Sequence, residues 1–155
     1  MSKHWFQAHL VEKFTKGKIL GVDLGYGRGN WDEFKQCEFV SIDKQYTDTK
    51  PNVISDFNYN LPFRDDIFDV AICYSVLNYV KNYKLFLNEI RRVLKKDEYL
   101  VCVIPHENWN QSILDRVLKE AGFKSVIHRY LKARFYAIYY DKTSVYSYAI
   151  LQNKK

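Results

Sequence analysis

Ile19-Leu-Gly-Val-Asp-Leu-Gly-Tyr-Gly-Arg-Gly29 is an apolar run that breaks into a turn with glycine at every second position, and a second apolar run ends fourteen residues later in Asp43. Read physically, a buried strand over Lys18–Leu24 ends in a loop whose glycines, Gly25, Gly27 and Gly29, reach backbone angles closed to other residues. They also leave no side chain between the main chain and a bound molecule. The pattern predicts a helix just after the loop, its unpaired N–H groups pointing into the same space. Asp43 stands where a carboxylate in α/β sheets accepts hydrogen bonds from a ribose. The spacing is G-x-G-x-G rather than the G-x-G-x-x-G of dinucleotide binders, which disfavours a nicotinamide-dependent enzyme.

A chain of 155 residues, 47% of them hydrophobic, supports one domain with a real core, and no linker or repeat interrupts it. No apolar run approaches the roughly eighteen residues of a membrane span, so no membrane association is expected. Met1-Ser-Lys-His-Trp-Phe-Gln7 lacks the apolar centre of a signal peptide, which predicts an intracellular, cytoplasmic protein. Cys37, Cys73 and Cys102 show no C-x-x-C spacing, and the last two fall inside apolar runs, so buried inert thiols are expected rather than a disulfide. His4, His9 and His128 have no ligand spacing, and no metal site is expected.

The net charge of +6 is uneven. Residues 119–155 carry eight Lys/Arg against Glu120 and Asp141, so the whole excess lies in the last quarter, among Phe123, Tyr130, Phe135, Tyr136, Tyr139, Tyr140, Tyr146 and Tyr148. Basic residues mixed with aromatics suit an anionic or stackable partner. The alternative is a terminal hairpin whose aromatics pack the core, or a homodimer interface at the sheet edge.

Short apolar runs alternate with amphipathic stretches, the mark of an α/β sheet with helices on its faces. Strands are expected over Lys18–Leu24, Glu38–Ile42, Asn52–Ser55, Phe68–Tyr74, Glu98–Ile104, Lys124–Tyr130 and Val145–Leu151, while Ala133–Tyr140 reads as one more strand or an insertion. The early ones are continuous apolar runs, as when both faces are covered. Phe86, Ile90, Val93 and Leu94 make one helical stripe, with Asn88, Glu89, Arg91, Arg92, Lys95 and Lys96 mostly opposite. Ile113, Leu114, Val117, Leu118 and Ala121 make another, with Gly122 as its C′ residue. A short helix through Trp5, His9 or Leu10, Val11 and Phe14 precedes the first strand, and the helix after the glycine loop, Asn30 to Gln36, looks unusually short.

From Lys18 to Phe123 the order of features resembles class I S-adenosylmethionine-dependent methyltransferases of the type 11 branch. Val22-Asp-Leu-Gly-Tyr-Gly-Arg-Gly29 resembles their motif I, and Ser41-Ile-Asp43 the acidic end of the second strand. Asp56 before Leu61-Pro62-Phe63 resembles D-x-x-x-L-P-F, one residue longer. Phe68-Asp-Val-Ala-Ile-Cys-Tyr-Ser-Val-Leu-Asn-Tyr-Val80 resembles F-D-V-V-x-x-x-x-V-L-x-H-V, with Tyr79 for the usual His. Phe86-Leu-Asn-Glu-Ile-Arg-Arg-Val-Leu-Lys95 resembles F-L-x-E-x-x-R-V-L-K-P-G, with Lys96-Asp97 for Pro-Gly, and Glu120-Ala-Gly-Phe123 resembles the E-A-G-F before the last hairpin.

The resemblance implies a Rossmann-like seven-stranded sheet, order 3-2-1-4-5-7-6, last strand antiparallel, with helices on both faces: a short helix over 1–17, a cofactor-binding core over 18–123 and basic, Tyr-rich strands over 124–155. It implies S-adenosylmethionine as cofactor, held by Asp23, Gly25, Tyr26, Gly27, Gly29, Asp43, Lys44, Asp56, Phe57 and Tyr74. Asp43 would take the ribose, Asp56 and Phe57 the adenine, and Asp23 would orient the loop toward the charged amino-acid end. Tyr74 would line the place where methyl and acceptor meet, and His106, after Pro105 at the end of the fifth strand, is the candidate general base, with Glu107 behind it. The (D/N/S)-P-P-Y motif of enzymes that methylate exocyclic amines of DNA bases is replaced by Cys73-Tyr-Ser-Val76, so DNA-base amino methylation is disfavoured and a small-molecule, protein or RNA acceptor stays open. Only some seventeen residues precede the first strand, fewer than usual in the branch, which keeps a degenerate, binding or scaffold form of the fold as the alternative.

Overall fold

Alternation along the central strands sorts their side chains into two layers. Val22, Leu24, Ala71, Cys73, Leu100, Cys102, Ile104, Ala149 and Leu151 belong to one apolar cluster, while the intervening Val70, Val101, Val103 and Ile150 belong to another. The sheet is therefore covered on both faces. The computed structural model describes residues 5–46, 49–105, 109–137 and 140–155.

The chain opens with α1 (Trp5–Thr15), then β1 (Leu20–Leu24), a 3-10 turn at Asp32–Phe34, β2 (Glu38–Asp43), β3 (Val53–Ile54), β4 (Phe68–Tyr74) and a second 3-10 turn at Leu77–Tyr79. It continues with α2 (Tyr83–Val93), β5 (Leu94–Pro105), α3 (Gln111–Glu120), β6 (Phe123–Ala137) and β7 (Tyr140–Asn153). The strands lie in the order β3-β2-β1-β4-β5-β7-β6, and β7 is antiparallel to both neighbours. This is the sheet the resemblance implied. Leu10 of α1 packs on the Val70/Val101 face. Phe86, Leu87, Ile90 and Val93 of α2, with Leu114, Val117 and Leu118 of α3, pack on the other.

Three local differences from the sequence reading have physical causes. The helix expected over Asn30–Gln36 is only the turn Asp32–Phe34. Thirteen residues separate β1 from β2 and must hold the glycine loop and return the chain along the sheet. A helix advances about 1.5 Å per residue, against about 3.3 Å for extended chain, so one turn that gives way to extended backbone at Lys35 closes the distance where a full helix would not. Second, Glu89 is not on the wet side of α2. It is 6% exposed, bonds Arg92 through both oxygens and accepts the Leu61 amide at 2.8 Å. Arg92 in turn donates to the Leu61 and Phe63 carbonyls and to Asp65, so this pair fastens the Leu61-Pro62-Phe63 segment to α2. Third, β5 starts directly at Leu94, with Asp97 at φ +62° where the family pattern has glycine. Among L-residues Asp is one of the few that tolerate this region, and here Lys154 pairs with its carboxylate.

Cys73 and Cys102 are buried and all three cysteines are free thiols. Leu10, rather than His9, is the inward residue of α1, and Gly122 ends α3 at φ +85° as its C′ residue. Ala133–Ala137 belongs to β6: the β6–β7 ladder continues to Ala137 and Tyr140, whereas β7 leaves β5 at Tyr146 beside Pro105. A two-stranded ribbon therefore runs on past the carboxyl end of β5. Among the described residues no helix is long and apolar enough to cross a membrane.

Candidate functional site

Parallel strands that all end on one rim leave a crevice there, and ligands of open α/β sheets collect in it. In this chain the rim holds a cavity of about 370 Å³ lined by Gly25 after β1, Asp43, Lys44 and Gln45 at the end of β2, and Asp56, Phe57 and Asn58 after β3. Tyr74, Ser75, Val76, Tyr79 and Val80 close it from the end of β4. Small-molecule sites run from roughly 300 to 1,000 Å³, so the space suits one such ligand.

The glycine loop is shaped by backbone angles. Gly25 has φ +84°, and a Cβ there would lie 2.2 Å from Val76 Cγ2, so loop and cavity wall touch at this point. Gly27 has φ +55°, and its Cβ position is open to 3.9 Å, leaving its main chain bare on that side. The Gly25 and Tyr26 amides both donate to the Ile42 carbonyl, at 2.9 and 3.2 Å, which pins the loop across the end of β2.

Asp43 joins loop and strand. Its Oδ2 accepts the Gly27 amide at 2.9 Å and its Oδ1 accepts its neighbour's amide, that of Lys44, at 2.7 Å. An ionised carboxylate has about four lone-pair sites, so each oxygen can accept once more. Asp56 accepts the backbone and side-chain N–H groups of Asn58 at Oδ1, at 2.9 and 2.8 Å, and these bonds hold its carboxyl below the usual range. Asn58 also receives the Lys81 and Asn82 amides, tying the loop after β3 to the start of α2. Phe57 borders the cavity, but its ring is buried and stacks on Phe86 at 4.9 Å, so it supports the loop from the core.

Tyr74 presents its ring rather than a hydroxyl. The hydroxyl donates to the Gln7 carbonyl of α1 at 3.1 Å, and Trp31 packs edge-on against the ring at 4.8 Å. The next residue, Ser75, sits at φ +59° with its amide on the Val103 carbonyl. Non-glycine residues in that region cost on the order of 1–3 kcal/mol and cluster at functional sites.

Six of the expected cofactor residues thus meet around one cavity: Gly25, Asp43, Lys44, Asp56, Phe57 and Tyr74. Gly27 reaches it through Asp43. Asp23, Tyr26 and Gly29 do not line it. The Tyr26 hydroxyl turns to Asp32 at 2.6 Å, which raises its pKa to about 12, and a Cβ on Gly29 would collide with that pair. Asp23 is buried beneath the loop against Lys35. His106 and Glu107 lie outside the described residues. Trp109 packs against Tyr83 in the core and does not line the cavity. Gln45, Asn58, Trp31 and Lys35 were missed by the sequence reading. Only Asn58 carried a signal, since Asp-x-Asn marks a turn closed by the Asp side chain.

The profile of the methyltransferase domain family matches residues 22–102. The chain belongs to this family. A protein of Methanocaldococcus jannaschii described only as uncharacterized is 31% identical over 142 residues, which cover 83% of this chain and 58% of that one. The chain therefore spans under three-fifths of that relative's length. Among solved structures, the (4+2)-cyclase SpnF superposes with a TM-score of 0.79 at 16% identity, covering 96% of this chain and 81% of its own. A SAM-dependent methyltransferase from Methanosarcina mazei gives 0.76 at 16% identity, covering 94% and 97%. A Burkholderia thailandensis 1,6-didemethyltoxoflavin-N1-methyltransferase, solved with that substrate and S-adenosylhomocysteine, gives 0.76 at 12% identity, covering 97% and 78%. At these identities the structural likeness establishes the class I methyltransferase fold.

Proposed function

We propose that the protein binds S-adenosylmethionine in the rim cavity and transfers its methyl group to an acceptor approaching over the ends of β4 and β5. The observation that supports this most is the Asp43 carboxylate, held by the amides of Lys44 and of Gly27, whose main chain is bare of side chains. Cofactor and site fit in chemistry: two acceptor-rich carboxylates, Asp43 and Asp56, stand apart along one cavity that Gly25 keeps open. Asp43 would receive the ribose hydroxyls and Asp56 the adenine amine, with Lys44 and Phe57 completing the walls. Asp23 would supply negative charge beneath the amino-acid end.

When bound, the cofactor supplies an already activated methyl on sulfur. The protein's own part is then to hold the acceptor in line and about 3 Å away, and such positioning supplies roughly 7–11 kcal/mol of a barrier. Tyr74, locked by Gln7 and Trp31, forms a rigid wall for that approach, and Ser75 and Val76 continue it. His106 would take a proton from an acceptor that carries one, such as a hydroxyl or thiol.

A second reading, binding or another reaction on the same fold, draws support from two facts. The neighbour SpnF is described as a cyclase, and the Tyr74 hydroxyl is already committed to Gln7. Calorimetric titration with S-adenosylmethionine, S-adenosylhomocysteine and NAD, followed by an assay for methyl transfer from S-adenosylmethionine to an acceptor in a cell extract, separates the readings. Binding of NAD alone would overturn both.

A further inference from the structure

The inference below rests on the cofactor reading and concerns charges that the cavity does not display. Asp23 follows Val22 and precedes Leu24, both in the α2-side cluster, so it points to the opposite face of β1, where it is 2% exposed. Lys35, beyond the 3-10 turn, reaches back to it with Nζ 2.7 Å from Oδ2, and the Lys35 side chain is itself 7% exposed. The same ammonium pairs with Asp32, whose Oδ2 accepts the Tyr26 hydroxyl. It lies 5.2 Å from the Tyr26 ring centre and 4.9 Å from that of Phe39. Asp43 also acts on Asp23, and the buried Cys73 thiol, pushed well above its ordinary pKa, stays neutral beside it.

One ammonium thus serves two carboxylates. With both carboxylates ionised, the cluster Asp23–Lys35–Asp32 would carry one net negative charge beside the glycine loop. Burial pushes the Asp23 carboxyl upward and Lys35 pulls it back, so the lysine is what opposes protonation there. A lysine held among two carboxylates and two aromatic rings is also fixed in place. No full helix follows the loop in this chain, so no helix N-terminus contributes.

We propose that Lys35 is a positioning residue for the cofactor: it holds the buried Asp23 carboxylate in place under the Gly25–Gly29 loop, from where its charge acts through the loop on the ammonium of the cofactor's amino-acid end. The effect is selective by chemistry. A ligand with the amino-acid end depends on Lys35, and one that ends at the thioether does not.

The test is calorimetric titration of S-adenosylhomocysteine and of 5′-methylthioadenosine, which lacks the amino-acid end, at about pH 6 and about pH 8.5. The parent, Lys35→Met, Lys35→Arg, Asp23→Asn and the double Asp23→Asn/Lys35→Met variant are compared. Lys35→Met should weaken S-adenosylhomocysteine about tenfold or more at the lower pH, the scale of one charge-assisted hydrogen bond. The loss should be smaller at the higher pH, because burial raises the Asp23 carboxyl and Lys35 is what opposes that, and methylthioadenosine should change less than about twofold, since it carries no ammonium for the Asp23 charge to act on. Lys35→Arg should keep most of the affinity, and Lys35→Met should cost nothing further once Asp23 is Asn, because coupled residues are not additive. Equal losses for the two ligands would show a lysine that merely props the loop and would overturn the proposal. So would undiminished S-adenosylhomocysteine binding in Lys35→Met, or an added loss in the double variant. A parent protein that binds neither ligand would instead sink the cofactor reading itself, and this proposal with it.

Discussion

Replacing Asp43 by Ala removes a carboxylate with two loads. In the unbound protein it accepts the Gly27 amide at 2.9 Å and the Lys44 amide at 2.7 Å, both on partly exposed groups that water can serve instead. Their loss should lower stability by only about 1 kcal/mol, the net worth of an ordinary hydrogen bond. Against a ribose the same carboxylate would form charge-assisted bonds inside the cavity, each worth about 1.5–3 kcal/mol. S-adenosylhomocysteine should therefore bind roughly ten- to a hundredfold more weakly, while the thermal midpoint moves by a few degrees. Asp43→Asn sharpens the argument. Its carbonyl oxygen can still accept from the Gly27 amide and a ribose hydroxyl, but it carries no charge and an NH2 replaces the second acceptor, so its affinity should fall between parent and Ala variant. Titration calorimetry and thermal melting on the same samples measure both quantities. Unchanged affinity in Asp43→Ala would refute the placement of the ribose. A melting transition lost together with binding would refute the claim that the bonds to Gly27 and Lys44 are minor in stability.

Gly25→Ala should destabilise the fold by about 2 kcal/mol or more, from positive φ and from the collision with Val76; adding Val76→Ala should restore part of that in a denaturant titration, and no recovery would contradict the contact. Glu89→Ala should cost about 2–3 kcal/mol at neutral pH, since Glu89 is buried against a partly exposed Arg92 and caps the Leu61 amide. Arg92 holds the Glu89 carboxyl below its ordinary range, so the parent keeps this contribution above the unfolded pKa and loses it as pH falls through the lower, folded one. The gap between parent and variant should accordingly close only in acid, and a gap unchanged there would refute the ion pair's role. For the ribbon beyond Pro105, RNA and single-stranded DNA binding at two salt concentrations, with Lys132, Arg134 and Lys142 replaced by Ser, distinguishes a phosphate-bearing partner from packing. The first predicts steep loss of affinity with salt in the parent and weaker binding in the variant, whereas absent or salt-insensitive binding leaves β6 and β7 as core and interface.

Much of the cavity was legible because its residues stand at turns and strand ends that glycine and apolar runs announce locally. Gly25, Gly27 and Asp43 stand at the ends of apolar runs, and alternation fixes which face they leave. What stayed hidden is whatever depends on residues far apart. Nothing near Tyr74 indicates that its hydroxyl is spent on Gln7, 67 positions away, or that Trp31 closes over it. Glu89 looked solvated because helical spacing alone cannot show that the Leu61-Pro62-Phe63 segment folds back over it and supplies Arg92 with carbonyls.

By itself the sequence determined the sheet, its order through the family pattern, the two faces of the central strands and the place of the rim, because local hydrophobic period and glycine-permitted turns are short-range properties. The tertiary structure decided how charge is distributed around that rim. The helix after motif I shrinks to one turn because thirteen residues must span β1 to β2. That shortening lets Lys35 reach Asp23, turns Tyr26 away to Asp32 and leaves Asp43 to hold the loop. These contacts join residues six to sixteen positions apart and are set by where the backbone brings them, not by which residues flank them.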